Sequence, residues 1–126
     1  MKLFLYLMLT VCILTACSVT PTPDGSSGVY GRVTIGPMCP VVRADEPCPD
    51  KPYQAKLVLL TASGERVTTI STDTDGRFRV SLSPGDYILR PETPQNQPLP
   101  MAQDQQFSVV AGRFTELNVS YDSGIR

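Results

Sequence analysis

The chain divides by hydropathy into two unlike parts. Residues 3–14 form one apolar run preceded by a single basic residue, Lys2. From residue 28 onward, apolar and polar positions alternate in short runs separated by Gly, Pro, Asp and Ser. Alternation with a period of two predicts half-buried strands. Seven are expected, at residues 29–35, 53–60, 66–71, 77–82, 87–90, 106–110 and 114–121. The first puts Val29, Gly31, Val33 and Ile35 on one face and Tyr30, Arg32 and Thr34 on the other. The second is apolar on both faces toward its end, as a central strand should be. The fourth has the clearest pattern, with Phe78, Val80 and Leu82 inward and Arg77, Arg79 and Ser81 outward.

Turn chemistry separates these runs. Ala62-Ser63-Gly64 and Asp73-Thr74-Asp75-Gly76 supply residues that tolerate left-handed backbone. Ser83-Pro84-Gly85-Asp86 suits a type II turn. Ala111-Gly112-Arg113 is expected to close a last hairpin between the final two strands. Short strands with a turn signal every eight to twelve residues predict an all-β fold, a seven-stranded antiparallel β-sandwich. Its predicted core is Val33, Leu57, Leu59, Val67, Phe78, Val80, Leu82, Tyr87, Leu89, Phe107, Val109, Leu117 and Val119. Residues 122–126 lie beyond the last strand and are expected to fray. A docked or partner-binding tail is the other reading.

From Gly64 to Pro91 the chain reads Gly-x-x-Val, then Thr-Asp-Thr-Asp-Gly-Arg-Phe, then Leu-Ser-Pro-Gly-Asp-Tyr-Ile-Leu. This stretch, with Gly31-Arg32-Val33, resembles the carboxypeptidase regulatory-like domain. The resemblance implies a transthyretin-like (prealbumin-like) sandwich. It also implies a non-catalytic accessory role, since the family consists mainly of such modules. The Cys-Pro…Pro-Cys-Pro insertion after the first strand departs from the family pattern and suggests a lipoprotein subgroup.

A charged start, a short apolar run and small residues mark a secretory signal. Twelve apolar residues are too few to span a bilayer, which takes roughly 20 in a helix. A buried core helix would have to begin at residue 3 and end in Cys-Ser-Val-Thr-Pro. Leu14-Thr15-Ala16-Cys17 resembles the lipobox of bacterial lipoproteins. That resemblance implies cleavage before Cys17 and a lipid on its thiol. The expected organisation is a signal peptide at 1–16, a lipid-anchored linker at 17–27, a β-sandwich at 28–121 and a tail at 122–126. The expected location is the extracytoplasmic side of a bacterial envelope membrane. Ser18 after the lipid cysteine is compatible with an outer membrane if the cell has one.

Composition narrows the chemistry. Without residues 1–16 the chain keeps ten basic and twelve acidic side chains, interspersed. There is no basic stripe to point to nucleic acid. Twelve Pro and nine Gly fit a strand-and-turn protein. Cys39 and Cys48 are the cysteines left after Cys12 is removed and Cys17 is lipidated. Two thiols of an exported chain so spaced predict one disulfide. Closing about ten residues contributes roughly 2.5–3 kcal/mol in the chain-entropy model. A metal site would need more ligands, and a redox site would prefer Cys-x-x-Cys.

The chain contains no His, the commonest general base and metal ligand. There is no Gly-x-Ser-x-Gly motif for a nucleophile, and no spaced carboxylate pair is evident. The sequence therefore argues against an enzyme, and it calls for no cofactor and no metal. Ser71-x-Asp73-x-Asp75-Gly76 matches the start of a calcium loop, but Leu82 occupies the place of the closing Glu. A turn is the better reading. Tyr30, Tyr53, Tyr87 and Tyr121 would offer a sugar platform if they shared a face. Two functional readings follow. One is a structural or protein-interaction module of the envelope, and the other is a small-ligand or carbohydrate-binding lipoprotein. For the first, the 37–52 disulfide loop is the best partner contact, with Arg43, Asp45 and Glu46 as its polar part. Ring closure and flanking prolines lower the entropy lost on binding. A plain stability staple accounts for the loop equally well.

Overall fold

A computed structural model describes residues 25–41 and 43–126. The signal and lipid attachment expected at residues 1–17 lie outside that range. The described residues contain nine strands and no helix. They are β1 (Gly28–Gly36), β2 (Lys51–Pro52), β3 (Lys56–Thr61), β4 (Arg66–Ser71), β5 (Arg77–Ser81), β6 (Gly85–Pro91), β7 (Gln105–Val109), β8 (Phe114–Glu116) and β9 (Val119–Asp122).

The strands form two sheets. One runs β4-β3-β6-β7 and is antiparallel throughout. The other is organised around β1. β1 pairs antiparallel with β5 and then β2, and parallel with β8 and then β9. The fold is therefore a mixed sandwich of nine strands, where a seven-stranded antiparallel one was expected.

The final hairpin does not form. β7 closes the first sheet beside β6, whereas β8 and β9 cross to the second and pair with β1. Alternation in residues 106–121 identified the strands, but it carries no information about which partner each will take. The predicted last strand is also split at Leu117 and Asn118. There the ladder is bridged by Leu117 N–H donating to Tyr30 O (2.8 Å) and Arg32 N–H donating to Asn118 Oδ1 (3.1 Å). The chain passes so close that a Cβ on Gly31 would lie 1.8 Å from Leu117 O, so this position admits only glycine.

The 73–76 turn forms as expected, but it joins the two sheets rather than two strands of one. Asp73 Oδ1 accepts from Asp75 N–H (2.9 Å) and Arg77 N–H (2.8 Å). Gly76 sits at φ +74°, and a Cβ there would meet Val33 O at 2.2 Å. At the next crossing, Gly85 opens β6, and Tyr87 Oη donates to Ser83 O (2.6 Å). A tyrosine tied to backbone a few residues upstream is a known corner device of β-sandwiches.

Most of the predicted core is buried between the sheets. Val33, Leu57, Leu59, Phe78, Leu82, Leu89, Phe107, Val109 and Val119 lie in it, with Val80, Tyr87 and Leu117 packed against its margin. Val29, Ile70 and Tyr121 join them. Val67 does not, and is 45% exposed. Leu59 pairs with Thr68 but Leu60 pairs with Arg66, so Val67 is the extra residue of a β-bulge on the edge strand. A bulge shifts parity by one, which an alternation count cannot detect.

Candidate functional site

Three segments lack strand alternation: the 37–52 loop, the polar, proline-rich 91–103 loop and the tail. The structure brings all three to one end of the sandwich, around Asp122. The Cys39–Cys48 disulfide is present, with Cα atoms 6.2 Å apart. The base of its loop is held where Thr34 and Ile35 pair with Pro52 and Lys51 of β2. At the loop's start, Ser123 N–H donates to Gly36 O (2.9 Å) and Ser123 Oγ donates to Pro37 O. From the second loop, Met101 exchanges both backbone bonds with Asp122, at 3.2 and 2.7 Å. A recess of about 340 Å³ remains between Gly36, Met101, Ala102, Ser120 and Asp122.

The tail is docked, where fraying was expected. Asp122 Oδ1 accepts from Gly124 N–H (2.9 Å), and Arg126 pairs with Asp122 Oδ2 at 2.8 Å. The guanidinium and the amide hold this carboxyl down at about 2. Nothing in the alternation of the last strand signals this. The one readable hint was Asp122 four residues before Arg126, a spacing better known from helices.

Arg43, Asp45 and Glu46 are all exposed on the disulfide loop. Glu46 N–H donates to Arg43 O (3.2 Å), which makes a turn at the loop tip. None of the three forms an ion pair among the described residues. Ser27, assigned by composition to the linker, belongs to the fold. It is buried, and its Oγ donates to Leu82 O (2.7 Å).

The four tyrosines do not form a common platform. Tyr121 is fully buried, its ring 4.8 Å from that of Tyr53, and its hydroxyl donates to Glu92 O (2.7 Å). Burial, with Tyr53 and Glu92 adding to it, pushes that hydroxyl well above the ordinary tyrosine range. Tyr87 stacks on Phe107. Only Tyr30 among the four is exposed.

Tyr30 belongs to a second feature that the sequence reading did not assemble. On the outer face of the β1 sheet, Tyr30 lies opposite Arg79, and Arg32 lies opposite Arg77. The Arg79 guanidinium sits 3.6 Å from the centre of the Phe114 ring and 6.0 Å from that of Tyr30. Arg32 Nε donates to Asp75 O (3.1 Å). Tyr30 Oη reaches Glu116 at 3.5 Å, a long contact. Tyr30, Arg32, Arg77, Arg79, Glu116 and Asn118 border a shallow depression of about 420 Å³. The outward arginines of residues 77–82 were legible in the pattern. Their alignment with Arg32 depended on a pairing that no local pattern specifies.

Among the described residues no group of three His, Cys, Asp or Glu side chains could hold a metal ion. The Asp73 carboxylate oxygen of the calcium-like motif is already engaged by two backbone N–H groups.

No family profile and no curated protein matches the chain. Among solved structures it is similar to the Bacillus anthracis TIE protein, with a TM-score of 0.53 at 17% identity. The match covers 77% of this chain and 17% of that one. The likeness is one of fold: an all-β protein of two sheets resembles a small part of a much longer chain.

Proposed function

We propose that this chain is a non-catalytic structural or protein-interaction module of a bacterial cell envelope. In this reading a lipid on Cys17 holds it at the membrane, and the transthyretin-like, carboxypeptidase regulatory-like type of sandwich serves as a rigid scaffold. The observation that carries it is the meeting of the disulfide loop, the 91–103 loop and the tail around Asp122. Loops fixed on a rigid sandwich end are where such folds usually place recognition. The disulfide loop is closed by its own covalent bond and rich in proline, so it loses little further entropy when a partner is bound.

The test uses the full chain in its own envelope, crosslinked and captured through an affinity tag. Replacing Arg43, Asp45 and Glu46 together with Ser should leave thermal unfolding unchanged and abolish recovery of a specific crosslinked partner. Unchanged recovery would reduce the loop to a stability staple. In the same cells, mass spectrometry should find the mature chain beginning at an acylated Cys17, and Cys17→Ser should accumulate precursor.

A further inference from the structure

We propose that the outer face of β1 and β5 binds the carboxylate groups of an acidic polysaccharide. This surface is separate from the disulfide loop and does not rest on the protein contact proposed there.

Three guanidiniums share this face, those of Arg32, Arg77 and Arg79, all exposed. None has a carboxylate within ion-pair distance among the described residues. Arg32 and Arg77 are register partners across an antiparallel ladder. Like charges placed directly opposite each other destabilise a sheet. The contact that offsets this is Arg32 Nε donating to Asp75 O, and a rule broken with so little local compensation points to a functional surface.

The geometry is also prepared in advance. Phe114 and Tyr30 hold the Arg79 guanidinium by cation–π contact, which limits the freedom it has to lose on binding. The planar guanidinium fork matches a carboxylate bidentately. The depression of about 420 Å³ falls within the range of small-ligand sites, roughly 300–1,000 Å³. That size suits a few linked sugar units better than the footprint of a folded protein.

The exposed Tyr30 ring decides between acidic partners. A sugar acid carries an apolar ring face and a carboxylate on the same unit, and Tyr30 and the arginines offer the two complements side by side. An acidic peptide segment supplies the carboxylates without the ring. An anionic membrane likewise supplies negative charge with no sugar ring face for Tyr30.

The experiment measures binding of the full chain in detergent to polygalacturonate at low ionic strength. Its controls are the fully methyl-esterified polymer, polyglutamate and phosphatidylglycerol vesicles. Polygalacturonate should bind and its ester should not, and polyglutamate should bind at least tenfold more weakly. Arg32→Gln with Arg77→Gln should weaken binding at least tenfold, and Tyr30→Ala about threefold or more, with the arginine variant's unfolding midpoint no lower than that of the wild type. If a variant fails to fold, the comparison of acid with ester on the wild-type chain still decides. Absence of binding at millimolar uronate overturns the proposal. So does equal affinity for the ester or for polyglutamate, or preference for vesicles.

Discussion

The two outer faces of the sandwich treat charge in opposite ways. On the β4-β3-β6-β7 sheet, Arg90 pairs with Asp104 at 3.0 Å, and Asp86 accepts a hydrogen bond from Ser108 at 2.6 Å. Val58 and Leu60 have outward parity there, yet each is only 5% exposed. That face covers its apolar strip and holds an ion pair, while its other two cations, Lys56 and Arg66, sit opposite uncharged residues. On the β1 sheet, three arginines form no ion pair among the described residues, two of them directly opposed. The first face keeps its cations apart, while the second sets two of them directly opposite each other beside a third. Net charge could not reveal this, because eleven basic and twelve acidic side chains nearly cancel.

Comparing the faces assumes that both rest on one core. Phe78 on β5 and Leu59 on β3 come from opposite sheets and lie in the same buried cluster. Phe78→Ala should lower stability by about 3–5 kcal/mol and Leu59→Ala by about 2–5 kcal/mol. Each should do so in a single cooperative transition in urea. Two resolved transitions would make the faces properties of two separate units.

Strand positions and inward faces were largely legible in the sequence, because burial imposes a period of two on each strand by itself. Pairing was not. Whether Phe114 and its neighbours return beside β7 or cross to β1 depends on contacts more than eighty residues apart along the chain. The Cys39–Cys48 bond could be read from spacing. The Arg32–Arg77 alignment could not, since each arginine looks like an ordinary solvent-facing residue of its own strand. The same limit hid the gathering of the three irregular segments at Asp122.

Tyr121 offers a second, smaller probe, because it ties the sheets together. It lies on β9, and its hydroxyl donates to Glu92 O, just past β6 of the other sheet. Tyr121→Phe should cost about 0.5–1.5 kcal/mol at neutral pH through loss of that bond. The pH dependence has a definite sign. Folding raises the pKa of this hydroxyl, so the folded chain keeps its proton while the unfolded chain releases it near pH 10. The stabilising contribution is complete below about pH 10 and is lost as pH rises further. The wild type and Tyr121→Phe should therefore converge in stability on the alkaline side. A gap that stays constant up to pH 11 would show that the hydroxyl titrates normally in the fold.

The smallest effects test the comparison directly, because the two faces predict opposite signs. Arg90 and Asp104 are both substantially exposed, so Asp104→Asn should lower stability by only about 0–1 kcal/mol. Arg77→Gln removes one member of a like-charge pair from the other face. It should raise stability by roughly 0.2–0.5 kcal/mol in low-salt buffer. Its backbone role survives, since the bond from Arg77 to Asp73 uses the main-chain N–H. Screening by about 0.5 M salt shortens the reach of both interactions to a few ångströms, and both differences should shrink together. Urea midpoints for wild type and both variants at the two salt concentrations provide the check. If Arg77→Gln destabilises at low salt and the loss disappears at high salt, Arg77 has an acidic partner in solution. The two faces would then be alike, and the arginine cluster would lose its claim to be a binding surface.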